Sequence, residues 1–225
     1  MRTIRTKAIV LRRTNYGEAD RILQLLTPNE GKLSVMARGV RREKSKLAGG
    51  IELFARCDVT VATGRGELGI LTGARLEIFY SHIMSDYDRL QFGYDAIKQL
   101  SKAADNMDEP AFFDLLDQCF ASLNDMNVPL EITKAWFWLQ LAILLGVGLN
   151  LSTDAEGMKL VEDATYNFSE HDHAFVFHEG GNFTSDHIKV LRVLSAQSPK
   201  VAAHVKGVGE LISDCLWVAE RAVAH

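Results

Sequence analysis

No two cysteines of this chain stand at a metal-ligand or redox spacing: Cys57, Cys119 and Cys215 are far apart, and none belongs to a CxxC pair. Nothing therefore implies a disulfide framework, and each cysteine reads as a small buried apolar residue. Long apolar runs are missing as well. The most apolar stretch, Ala135 to Leu149, covers about fifteen residues and is interrupted by Gln140. A membrane-spanning helix needs roughly 20, so this segment reads as a buried core helix and no membrane partner is expected. The basic start, Met1 to Lys7, is followed only by Ala8-Ile9-Val10-Leu11 before Arg12-Arg13. That is too short for the core of a secretion leader, and a cytoplasmic protein is expected. Aromatic residues are few in the first third, where only Tyr16, Phe54, Phe79 and Tyr80 occur.

What is present is a division of charge. Residues 1–80 carry 15 Lys/Arg against 8 Asp/Glu, and residues 81–225 carry 10 against 21, so the whole-chain value of −4 hides two opposite halves. The positive charge has a focus in Arg38-Gly39-Val40-Arg41-Arg42-Glu43-Lys44-Ser45-Lys46. A basic half on a chain of modest net charge points to an acidic polymer as partner, most often nucleic acid.

The two halves also differ in period. Leu33, Val35 and Ala37 alternate with Lys32, Ser34 and Met36, and Val59 and Val61 alternate with Asp58, Thr60 and Ala62. This is the two-residue period of half-buried strands. Turn residues separate them at Asn15–Gly17, Thr27–Gly31, Gly49-Gly50 and Gly64–Gly66. Four or five short strands in about 75 residues predict a small closed barrel, and the five-stranded OB-fold suits that size. From about Ser81 the period lengthens: Tyr87, Leu90, Tyr94, Ile97 and Leu100 mark an amphipathic helix. Further helices are expected after Pro110, over Leu130–Leu145, around Ile188–Leu194 and over Val208–Val223. The expectation is an α+β chain: a barrel domain over 1–80, then a helical domain over 81–225 with an irregular or hairpin insertion at 150–183.

Two motifs invite a chemical reading. Gly64-Arg65-Gly66-Glu67-Leu68-Gly69 spells the dinucleotide fingerprint GxGxxG. That fingerprint needs a strand running into a helix, whereas a strand-like segment follows here, so a hairpin turn is preferred. His171, Asp172, His173, His178, Glu179, Asp186 and His187 cluster in sequence and are residue types that suit zinc or manganese. Without a thiolate nearby, a polar loop is preferred. No nucleophile elbow or comparable signature is found. No catalytic residue, metal or cofactor is assigned, and no enzyme activity is expected.

The basic run is read as a working surface. On an exposed loop between two strands, Arg41, Arg42, Lys44 and Lys46 would track phosphates, each releasing counterions on contact. Stacking of bases on aromatic rings, common among single-strand binders, has little to work with here. Phe54 and Phe79 read as core, leaving Tyr16 and Tyr80 for the surface. Such a domain would hold backbones and leave bases free to pair.

The same residues resemble a known family. Tyr16-Gly17-Glu18-Ala19-Asp20-Arg21-Ile22-Leu23, the turn Thr27–Gly31 with Lys32-Leu33, the segment Ala37 to Arg42, Lys44 to Gly49, and the hairpin Gly64–Leu68 follow in order the pattern of the RecO family of bacterial DNA repair proteins. Phe137, Leu141, Leu144, Leu145, Gly146, Asn150 and Leu151 resemble its central helix and the following loop, and Phe183-Thr184 with Leu191–Leu194 resemble its last part. One departure is clear. Many members hold a four-cysteine zinc ribbon after the central helix, and Ser152–Asn182 contains no cysteine. A metal-free hairpin packed by Phe168, Phe175 and Phe177 is expected there.

The resemblance implies a recombination mediator. Such proteins bind single- and double-stranded DNA without sequence preference and anneal complementary strands. With RecR they help load RecA onto DNA coated by single-stranded DNA-binding protein. It implies a nucleoid-associated location and DNA contacts at Arg38, Arg41, Arg42, Lys44 and Lys46, with Arg12, Arg13 and Lys32 beside them. It further implies a seat for the acidic tail of the single-stranded DNA-binding protein on the helical domain, near Lys134. Alternatives are an OB-fold RNA-binding or translation accessory protein, and a hydrolase built on the His171–His187 region.

Overall fold

The chain begins with a strand too long to pair along one side. β1 runs from Arg2 to Tyr16; its first half pairs antiparallel with β4 (Ala55–Thr63) and its second half with β2 (Asp20–Leu26). The register slips between Val10 and Arg12, so Leu11 is a bulge that bends the strand from one partner to the other. β3 (Lys32–Ala37) follows β2, and β5 (Leu68–Phe79) pairs antiparallel with β4 and in parallel with β3. The order β1-β2-β3-β5-β4 returns to β1 and closes a barrel, the five-stranded OB-fold. This computed structural model describes residues 2–45, 47–64, 66, 68–107 and 109–223.

The alternation read from sequence is the barrel's inward face. Val35, Ala37, Val59 and Val61 are buried together with Leu23, Leu25, Cys57 and Leu71. Gly69 sits where β5 meets β3, and a Cβ there would lie 2.7 Å from Val61 Cγ1 and 3.4 Å from Val35 Cγ1. The last glycine of the GxGxxG string is thus a packing requirement of barrel closure. The motif joins two antiparallel strands instead of opening a helix.

Strands give way to helices at Phe79–Ser81, but packing divides the chain elsewhere. Two compact units are formed, Met1–Asn124 and Asp125–His225. The first contains the barrel with α1 (Tyr87–Ala103) and α2 (Ala111–Asn124). Asp86 caps α1 by accepting from the Arg89 N–H at 2.9 Å. Phe54 packs edge-on against Tyr94 of α1 and Phe120 of α2. Arg56 of β4 pairs with Glu77 of β5 and with Asp117 of α2, and Tyr80 donates to the same Asp117 carboxylate at 2.7 Å. Tyr80 is therefore buried, not a surface ring, whereas Phe79, expected in the core, is 38% exposed. Phe79 is the last residue of β5, at the end of the strand, so the two adjacent aromatics exchange the roles expected of them.

The second unit contains α3 (Leu130–Leu144), a small sheet of order β7-β6-β8 and the helices α4 (Ser185–Ala196), α5 (Pro199–Ala202) and α6 (Val208–Arg221). In that sheet β6 is Thr165–Ser169, β7 is Ala174–Phe177 and β8 is Phe183–Thr184. Its packing rings are Tyr166, Phe175 and Phe183, all buried, with Phe168 against Trp217. Phe177, expected among them, is 60% exposed. It is the last residue of β7, which is an edge of the sheet β7-β6-β8. No helix of the described residues is long and apolar enough to cross a membrane.

All three cysteines are free and buried. Burial pushes the Cys57 thiol up to about 11 and Cys215 to about 12, and raises Cys119 further. Thiolate is the reactive form. In native protein at pH 8, a thiol-disulfide probe is therefore expected to label none of the three rapidly, and all three after denaturation; fast native labelling of any one contradicts this.

Candidate nucleic-acid interface

β3 ends at Ala37 and β4 begins at Ala55, on the other side of β5 in the barrel. The connection must cross one end of the barrel, and it is anchored as it does so. Val40 and Ile51 are buried in the barrel core, with Leu47, Ala48 and Leu53 packed against it. Between these apolar feet the backbone turns tightly: Arg42 N–H donates to the Gly39 carbonyl and Ser45 N–H to that of Arg42. Arg38, Arg41, Arg42 and Lys44 are exposed.

The turn is also held from the side by the β1–β2 turn. Asp20 accepts from the Gly39 N–H at 2.6 Å, the Ala19 carbonyl accepts from the Arg41 N–H at 2.9 Å, and the Gly17 carbonyl accepts from the Arg41 guanidinium at 3.3 Å. Gly39 has φ +62, a left-handed conformation that suits glycine. Two short sequence patterns, Tyr16–Asp20 and Arg38–Arg42, thus form one object. The first is the clamp and the second is the charged edge it presents.

The electrostatics explain why this edge stands out. The unit Met1–Asn124 as a whole holds 18 Lys/Arg and 16 Asp/Glu, so its surface is not uniformly positive. Of the nine cations on the strands, six have a carboxylate: Arg2 with Glu30, Lys7 and Arg56 with Glu77, Arg13 with Glu52, Lys32 with Asp105 and Arg75 with Asp58. Arg38, Arg41, Arg42 and Lys44 form no ion pair among the described residues. Four cations against one exposed carboxylate, Glu43, leave this anchored turn net positive, a standing demand for anions.

The remaining expected residues separate from this group. Arg12 is exposed on β1 and forms no ion pair among the described residues. Arg13 is half-buried and pairs with Glu52 at 2.8 Å. Lys32 is largely buried; its ammonium reaches Asp105 at 2.7 Å and the Ser101 hydroxyl at 2.9 Å, fastening α1 to the barrel. Lys46 lies outside the described residues. Lys134 is half-buried on α3. A groove that sequence reading did not single out lies across β1, β4 and β5, lined by Arg5, Lys7, Thr60 and Arg75, with a volume of about 560 Å³. Its only signal in sequence was the outward-facing alternation Arg5, Lys7.

The segment Ser152–Asn182 lacks the donors of a thiolate zinc site. It has no cysteine, and among the described residues no group of three or more His, Cys, Asp or Glu is placed to hold a metal. The histidines disperse. His187 accepts from the Thr184 N–H at the start of α4, and His171 pairs with Asp172. The residues present do not fit a thiolate zinc site. The turn at 154–158 is closed instead by Asp154, whose buried carboxylate accepts from the N–H groups of Glu156 at 3.0 Å and Met158 at 2.8 Å.

Comparison with known proteins adds independent findings. Residues 1–79 match the family model described as Recombination protein O N terminal, and residues 84–216 match Recombination protein O C terminal. The chain is 29% identical to DNA repair protein RecO of Dehalococcoides mccartyi strain CBDB1 over 226 residues, 97% of this chain and 88% of that protein. It is 32% identical to DNA repair protein RecO of Roseiflexus sp. strain RS-1 over 169 residues, 75% of this chain and 59% of that protein.

Two substitutions test these local arguments. Asp20→Ala removes an anion beside the basic turn, so charge alone predicts tighter binding of a polyanion. Loss of the clamp predicts the reverse, and weaker binding of single-stranded oligonucleotide is the expected result by fluorescence anisotropy. Asp154→Ala is expected to cost about 2 kcal/mol, the scale of hydrogen bonds to a charged group, in urea unfolding of the full chain. A chelator should leave the wild-type unfolding curve where it is.

Proposed function

The chain belongs to the RecO family of DNA repair proteins, and from that premise we propose that it acts in DNA repair and recombination by holding strands without chemically altering them. The observation that carries this reading is the unpaired cationic turn Arg38–Lys44 clamped by Asp20. Phosphate contacts position a strand but read no sequence, so binding is independent of base order. Because the turn carries no ring to stack on, the bases of a held strand stay available for pairing. A second strand, also attracted by the cations, meets its complement at raised local concentration. This is annealing by electrostatic capture.

The wider role we propose follows the family. The protein anneals strands coated by single-stranded DNA-binding protein, and with RecR it helps RecA onto them. Arg12 extends the contact surface of Arg38, Arg41, Arg42 and Lys44. Arg13 and Lys32 support the fold beside it, and Lys46 continues the run. The acidic tail of the single-stranded DNA-binding protein meets the second unit near Lys134.

The deciding experiment is annealing of complementary oligonucleotides pre-coated with single-stranded DNA-binding protein, followed by fluorescence transfer. The wild-type chain should accelerate it, and an Arg38→Gln/Arg41→Gln/Arg42→Gln/Lys44→Gln variant should lose about tenfold or more in single-strand affinity, equivalent to roughly 1.4 kcal/mol. Its log–log salt slope should fall by about 2.8, from about 0.7 per phosphate lost. No acceleration by wild type overturns the proposal. Preference for structured RNA over single-stranded DNA in competition assigns the turn to RNA instead.

A further inference from the structure

Helix α1 carries a basic stripe that the acidic composition of the helical half conceals. Tyr94, Lys98 and Lys102 recur every four residues and share one face of the helix. Facing them across a groove of about 320 Å³ are Arg12 of β1 and Gln24 of β2, with Ser101 beside them. Leu11 and Ile97, both buried, are its apolar residues. Arg12, Lys98 and Lys102 are exposed and form no ion pair among the described residues. The one acid on the rim, Asp105, is already neutralised by Lys32 at 2.7 Å. The groove is therefore net positive, with an aromatic ring at its edge.

It is also continuous with the basic turn. Arg12, Thr14 and Tyr16 are exposed at alternate positions of β1, about 6.6 Å apart along the strand. Tyr16 leads directly into Gly17, whose carbonyl holds the Arg41 guanidinium. A chain of anions leaving the turn thus meets a cation again at Arg12 and two more on α1. Tyr94 is 45% exposed, and its ring is steadied by an edge contact with Phe54 at 5.1 Å. A steadied, half-exposed ring beside cations is the combination that receives an unstacked base above a tracked backbone.

We propose that this groove is a second contact zone for the single strand held at the basic turn. Phosphates pass Arg12 and settle on Lys98 and Lys102, and one base lies against Tyr94. The inference rests on the strand-holding function proposed above and deepens it: the bound strand runs along β1 onto α1, so the binding surface extends past the barrel. Single-stranded DNA is the occupant favoured, because a base pair of a duplex could not present its face to Tyr94. The protein footprint then exceeds that of the turn alone.

The test uses the full chain and oligothymidylates from about 4 to about 16 nucleotides, the span of OB-fold site sizes, and longer. Wild-type affinity should rise with length until the strand reaches from the turn to the groove. Lys98→Gln/Lys102→Gln, at exposed positions, should bind the shortest strands as wild type does. On long strands it should bind about fivefold or more weakly, with a salt slope shallower by about 1.4. Unchanged long-strand affinity and slope in this variant, while the basic-turn variant is impaired, overturns the inference and leaves the strand-holding function standing. If the basic-turn variant also binds normally, that function itself fails. Loss of poly-glutamate binding by Lys98→Gln/Lys102→Gln with DNA binding intact would overturn the inference by assigning the groove to an acidic protein segment.

Discussion

Closure of the barrel depends on a short parallel pairing between β3 and β5, Ser34 with Leu68, Val35 with Gly69 and Met36 with Ile70. Gly69 permits it by bringing backbone where a side chain would strike Val61. Once β3 lies beside β5, it cannot turn back into β4, which occupies the other side of β5. The chain must cross the end of the barrel. A crossing segment exposes backbone and entropy at both its ends, and it is made stable here by sinking Val40 and Ile51 into the core. The exposed apex between those anchors is then free to carry charge that no folding requirement dictates.

That freedom sets the cations of the turn apart from those that pair. Arg56, Lys7, Arg13, Lys32 and Arg75 sit on elements that face other elements, and each found a carboxylate there. Exposed pairs of this kind contribute little individually; Lys32, largely buried against α1, is the one that also fixes an element in place. Arg38, Arg41, Arg42 and Lys44 are exposed and form no ion pair among the described residues. Their mutual repulsion is borne by a backbone clamped through Asp20, Ala19 and Gly17. Rigid presentation of repelling charges favours an anionic ligand, since the order the ligand needs is already in place.

Much of this was legible in the sequence. The alternation at Leu33–Ala37 and Val59–Val61 located strands and their inner faces, and three- and four-residue spacing located α1 to α4 and α6. The basic turn was read as lying between two strands ending near Val40 and beginning near Ile51; the strands stop at Ala37 and resume at Ala55, and Val40 and Ile51 anchor the connection instead. The misjudged residues share one physical cause. Tyr80, Phe79 and Phe177 were assigned by residue type, but what buries a ring is the neighbour that covers it. Asp117 and Phe120 of α2 cover Tyr80, whereas Phe79 and Phe177 stand at strand ends and stay exposed. Arg13 and Lys32 were grouped with the basic turn because charge counts cannot see carboxylates 39 and 73 residues away. The link from Asp20 to Gly39 spans 19 residues and is equally invisible to a local pattern.

Local physics, then, was settled by the sequence alone: which segments extend or coil, where chains reverse, and where positive charge concentrates. These depend on neighbours a few positions apart, through side-chain periodicity and backbone preference. Tertiary structure decided which cations stay unpaired, which rings are covered, and that α1 turns a basic stripe toward β1. Each of those outcomes rests on a contact between residues distant in sequence, and only the closed barrel with its packed helices brings such residues together.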